Sequence, residues 1–163
     1  MSGDIGSRSD VHDLVVAFYR EVVFDEVLAP VFGEVAEVDW ATHIPKLIDY
    51  WCRVLFGDPS FVGSILGPHQ RVHDLEPFRG DLFGRWYLLW SDSIDRRWSG
   101  PNAERAREHA ARIGGVLSRK LTGTTWEAPI TRPAHPVDRA DLGGEPACWA
   151  HLVDEWGGIA GGA

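Results

Sequence analysis

The sequence predicts an all-α fold. Apolar residues recur every three to four positions in several segments. Cap-type residues precede those segments, Gly or Pro closes them, and no stretch alternates as a half-buried strand does. At 163 residues, 44% hydrophobic and 25% charged, the chain suffices for one domain with a real core.

Ser9 or Asp10 is the expected cap of a first helix in which Leu14, Val15, Phe18, Tyr19, Val22 and Val23 share helical spacing. Leu28–Gly33 reads as a turn, broken by Pro30. Asp39 offers a cap to a second helix with an apolar face of Ile44, Leu47, Ile48, Trp51, Val54 and Leu55. Pro45 is tolerated there near the first turn, and Gly57-Asp58-Pro59-Ser60 ends the helix. Gly67-Pro68 signals a short helix carrying His69 and His73, stopped by Pro77. Leu82, Phe83, Trp86, Leu89, Trp90 and Ile94 mark a further helix to about Trp98. Gly100-Pro101 restarts the chain, and Ala106, Ala110, Ile113 and Leu117 share a face to about Leu121.

Beyond Leu121 the composition changes. Residues 122–163 hold seven of the 18 glycines and four of the ten prolines without sustained periodicity. The expected organisation is one domain over 1–121 and a Gly/Pro-rich tail over 122–163, flexible apart from a short docking segment at 147–153.

Charge and composition exclude several classes. A net charge of −8 argues against a nucleic-acid footprint, which needs clustered Lys and Arg. No apolar run approaches the ~20 residues of a membrane span. Residues 1–6 show no secretory signal, so a cytoplasmic location is expected. Cys52 and Cys148 are far apart and fit a reduced chain, with Cys52 as a small core residue. Eight tryptophans either pack a core or wall a flat aromatic ligand, and composition alone leaves both open.

Seven histidines stand at positions 12, 43, 69, 73, 109, 135 and 151. A lone histidine is more often a surface or hydrogen-bonded residue than a ligand. His43 and His73 rise above that, because each falls on an otherwise apolar helical face. His43, Leu47 and Trp51, spaced four apart, share one such face. An apolar slot with a histidine on either side is what a haem needs. Zinc needs three or four close ligands, and His69 with His73 offers two without an HExxH-type context. A haem iron needs a single protein ligand from below and an apolar wall with a hydrogen-bond donor above. Tyr19 and Trp86, each taken alone, read most simply as core residues. Together with His43 they supply three donors around one apolar cavity, which is costly unless a polar ligand satisfies them.

These residues carry a resemblance. Phe18-Tyr19, Leu28-Ala29-Pro30-Val31-Phe32, His43-Ile44-Pro45-Lys46-Leu47 with Tyr50-Trp51, His73, and Phe83-Gly84-Arg85-Trp86 follow in the order and near the spacing of the bacterial group III truncated haemoglobins. The likeness covers about residues 10–121. The paired glycines of the other two groups are missing before Gly114-Gly115.

The resemblance implies a shortened globin, a 2-over-2 helical sandwich around one haem b. His73 matches the proximal iron ligand, with His69 its rival one turn away, and Phe32 the phenylalanine packed on the haem. His43 matches the distal histidine. Tyr19 and Trp86 match the donors that face a gas ligand, and Leu47 and Trp51 the apolar distal wall. Lys46 is placed to reach a propionate, or is a solvated lysine. The implied activity is reversible binding of O2, NO and CO, extending to NO dioxygenase or peroxidase-like chemistry served by an unidentified reductase. Whether the chain is an enzyme stays open. The alternative is a gas sensor signalling through its tail.

Overall fold

Ser7, not Ser9 or Asp10, opens the first helix of the computed structural model, which describes residues 2–31, 39–63, 66–75 and 77–129. The Ser7 hydroxyl oxygen accepts from the Asp10 N–H at 3.2 Å, while the Asp10 carboxylate accepts from the Gly6 N–H at 3.1 Å. This is a reciprocal capping box, and its Ser-x-x-Asp spacing sets the start of α1 (Arg8–Val22). The following turn is tied by Asp25, whose Oδ1 accepts from the N–H groups of Val27 and Leu28, both at 3.0 Å.

Helix α2 (Trp40–Phe56) begins at the expected cap: Asp39 accepts from the Ala41 N–H at 3.1 Å and from the Thr42 hydroxyl at 2.7 Å. Gly57 ends it at φ 70°, a left-handed conformation that other side chains resist. Helix α3 (Leu66–Leu75) starts one residue before the Gly67-Pro68 pair. Helix α4 (Gly80–Asp95) stops short of Trp98, because the chain there turns to meet the N-terminal segment. Gly3 and Trp98 form an isolated parallel bridge, and the Ser99 N–H donates to the Gly3 carbonyl at 3.0 Å.

Helix α5 (Pro101–Thr122) has no cap of its own. Asp4 supplies one from about a hundred residues away, accepting from the N–H groups of Asn102 and Ala103 at 2.9 Å each. Gly100 makes this possible. At φ 141°, its missing Cβ would stand 2.6 Å from the Asp4 carboxyl carbon.

α1 packs on α2, α4 packs on α5, and the two pairs meet through α1–α4 and α2–α5 contacts. The expected two-over-two helical arrangement is therefore observed. Among the described residues the core is one cluster in which Trp51, Trp86, Trp90 and Phe18 are fully buried. After α5 the chain folds back: the Trp126 N–H donates to the Ser118 hydroxyl at 2.7 Å, and its ring lies 5.5 Å from that of Tyr87. No helix among the described residues is long and apolar enough to cross a membrane. Phe32, Cys148 and the 147–153 segment lie outside the described residues.

Candidate functional site

Three helices bring the expected polar residues to one aromatic assembly. α1 contributes Phe18 and Tyr19, whose ring centroids are 5.0 Å apart. α4 contributes Trp86, edge-on to Phe18 at 6.0 Å. α2 contributes His43, joined to Tyr19 through Trp40, with centroid distances of 4.9 Å for Tyr19–Trp40 and 6.2 Å for Trp40–His43. The sequence reading passed over Trp40, although it precedes His43 by three positions and so shares its helix face. Leu47 and Trp51 continue that face and are fully buried.

The electrostatics follow from burial. His43 is only 4% exposed; desolvation, reinforced by the Lys46 charge, pushes its pKa down to about 3 against the opposing pull of Asp39. It is therefore a neutral imidazole at ordinary pH. Trp86 and Trp51 each bury an indole N–H with no hydrogen-bond partner among the described residues. Trp90, next to both, is satisfied instead by the Ala106 carbonyl at 3.3 Å. A buried donor left unpaired costs roughly 1–3 kcal/mol, so two in one assembly mark a place where the described residues supply no acceptor.

His73 lies outside this ring network. It is half-buried on α3, 5.3 Å from the ring of Phe78, which meets Phe83 of α4 at 6.2 Å. Phe83 and Trp86, three residues apart, let one face of α4 reach toward both groups. One detail departs from expectation. A histidine ligating through one ring nitrogen should donate from the other to a carbonyl or carboxylate. Here Nδ1 of His73 accepts from the Phe78 N–H at 3.0 Å, because the chain reverses after Pro77 and lays that amide over the ring. The rival His69 is fully buried.

Lys46 is half-buried one turn along α2 from His43. Arg85 pairs at 2.6 Å with the buried Asp25, which fastens the turn after α1 to α4. Cys52 is buried, and desolvation raises its thiol pKa, as befits a core residue. Among the described residues no three His, Cys, Asp or Glu side chains cluster as a metal centre.

The helical pairs and the site between them define a protein with the truncated-globin fold. No family model matches the chain. It is 27% identical over 92 residues to the Group 3 truncated hemoglobin ctb of Campylobacter jejuni subsp. jejuni serotype O:2, covering 55% of this chain and 70% of that protein. The crystal structure of a group III truncated haemoglobin from Campylobacter jejuni superposes with a TM-score of 0.63 at 23% identity, over 74% of this chain and 95% of that one. The likeness to the group III truncated haemoglobins thus holds in sequence and in fold.

Proposed function

We propose that the protein is a haem-binding globin that takes up diatomic gases, O2 foremost, at a site framed by α1, α2, α3 and α4. The observation that carries this reading is the indole N–H of Trp86, fully buried beside Phe18 and Tyr19 with no acceptor among the described residues. A polar ligand held in an apolar pocket supplies the acceptor that such a donor lacks.

The residues present fit a haem b. When bound, haem supplies an iron centre with one-electron redox chemistry and an open position for O2, NO or CO. His73 is the residue that holds it. Its Nδ1 now accepts from Phe78, so ligation through Nε2 requires the ring proton to sit on Nδ1 and the Phe78 amide to yield. Phe32, outside the described residues, matches by sequence alone the phenylalanine that packs on haem, and half-buried Lys46 would be the partner for a propionate. Leu47 and Trp51 keep bulk water out. Tyr19 and Trp86 donate hydrogen bonds to the gas ligand, and neutral His43 offers either a donor or an acceptor. Donors held in a dry pocket retain such a ligand far longer than a simple carrier requires. That suits oxidation of nitric oxide or peroxidase-like turnover, with a cytoplasmic reductase returning the iron to its ferrous state.

Haem titration of the purified chain, followed in the visible spectrum, tests the reading. A Soret band should form at one equivalent, vanish in His73→Ala and survive in His69→Leu. A chain that takes up no haem, or a band lost only with His69, overturns the assignment.

A further inference from the structure

From Trp86 an unbroken file of aromatic rings leads away from the candidate pocket. Trp86 lies parallel to Trp90 at 5.9 Å and 5°. Trp90 stacks on Trp51 at 4.4 Å and 23°. Trp51 touches both Tyr50 and His109 at 5.5 Å. The file ends in a 2.5 Å hydrogen bond between the Tyr50 hydroxyl and Nε2 of His109, linking α2 to α5. Beside that pair a groove opens, walled by Arg53, Val54, Phe61 and Gly63.

We propose that Tyr50 is a redox-active tyrosine, wired through Trp51 and Trp90 to Trp86, which oxidises small phenols in this groove and lends its proton to His109. The proposal rests on the haem reading above for its source of oxidising equivalents.

The proton acceptors decide where an electron hole comes to rest. An indole radical cation that loses its N–H proton is trapped. Trp51 has no hydrogen-bond acceptor among the described residues, nor has Trp86 while the site holds no ligand, and Trp90 has only a carbonyl, which is too weak a base to take the proton. The hole therefore stays mobile along the three indoles. All three are fully buried, which keeps it from solvent. Along this file of described residues, Tyr50 is the one with an imidazole hydrogen-bonded to it. Burial, helped by Arg112, holds His109 at a pKa of about 4, so the imidazole is neutral and can accept. A phenol radical cation is a far stronger acid than any imidazolium, so electron loss from Tyr50 drives its proton to Nε2.

The balance is as follows. When bound, haem would let a hydroperoxide serve as the oxidant, its O–O bond cleaved overall to an alcohol and water at the cost of two electrons and two solvent protons. Tyr50 gives one of these electrons through Trp51, Trp90 and Trp86 in turn; bound haem would store the other oxidising equivalent until a second pass through Tyr50, drawing on a second phenol, returns it to its starting state. Tyr50 is left as a neutral phenoxyl radical beside protonated His109. A phenol in the groove then gives up one hydrogen atom in all: its electron reduces Tyr50, the His109 proton returns to the Tyr50 oxygen, and the phenol's own proton leaves to solvent.

Two measurements on the full chain test this, and one needs no haem. An ultraviolet flash that ejects electrons from the indoles of the haem-free chain should yield a tyrosyl EPR signal. The chain has three tyrosines, so the signal can be assigned: it should vanish in Tyr50→Phe and persist in Tyr19→Phe and Tyr87→Phe. In the haem-loaded chain treated with hydrogen peroxide, Trp90→Phe should delay the same signal. Tyr50→Phe should there slow guaiacol oxidation by about tenfold while leaving the Soret band unchanged. A signal that survives Tyr50→Phe, or one that rises as fast in Trp90→Phe, overturns the relay. Guaiacol oxidation unchanged in Tyr50→Phe overturns the groove as its site. Failure to bind haem would sink the haem reading yet leave the flash result to judge Tyr50 by itself.

Discussion

Single side chains set what the pocket can hold and at what pH the fold survives. A hydrogen bond to a charged acceptor in a dry site is worth roughly 1.5–3 kcal/mol, or about ten- to a hundredfold in a dissociation rate. Tyr19→Phe should therefore speed O2 release by that order, and Trp86→Phe should do the same, as stopped-flow replacement of O2 by CO would show. An unchanged off-rate in either variant removes that residue from the donors. The buried histidines act on stability. His43 and His109 are held near 3 and 4, whereas in the unfolded chain each titrates at its ordinary value of 6.5. As pH falls below 6.5 the unfolded chain takes up protons that the folded one refuses. Stability drops by up to about 1.4 kcal/mol per pH unit for each histidine until its folded pKa is passed. Urea midpoints at pH 7 and pH 5 should differ accordingly, and the difference should shrink in His109→Gln. The burial of Tyr19, His43 and Trp86 was legible in the sequence because each is a polar group set in an apolar helical face. Trp40 as a bridge, Phe78 over His73, and the Tyr50–His109 pair were not. Those contacts depend on how helices and turns meet, which spacing along one helix does not specify.

At the scale of elements, the boundaries were legible where the chain carries its own punctuation. Asp39 and Gly57 bound α2, and Pro101 opens α5, as the sequence led one to expect. The start of α1 was misjudged because three candidate caps lie within four residues, and only the pairing of Ser7 with Asp10 decides between them. The end of α4 was overrun because Trp98, apolar and in phase, is diverted by the N-terminal segment. A turn can also be held from outside. Asp25 accepts two backbone N–H bonds after α1 and pairs with Arg85 of α4 while itself almost fully buried. Breaking a buried pair by removing one partner costs about 3 kcal/mol, because the charge left behind stays buried. Arg85→Met should lower stability by about that amount in chemical denaturation.

Taken whole, the molecule is closed by its first residues. Asp4 caps α5 in place of any residue from its own helix, and Gly100 leaves the space for that carboxylate. Gly100→Ala would strain the backbone and push a methyl group into Asp4, so a loss of about 2 kcal/mol is expected in thermal or urea unfolding. Asp4→Ala should cost about 1 kcal/mol through the lost cap alone. If both variants unfold like the parent, the N-terminal contact carries no weight. The same contact has a practical consequence for anyone producing the protein. Residues 2–6 are synthesised well before residues 98–103, with which they pair, so α5 is secured late. A purification tag fused directly before Ser2 would crowd that docking site and leave α5 prone to fraying. A cleavable tag with a long polar spacer avoids the competition, and a melting curve recorded before and after cleavage would report the difference.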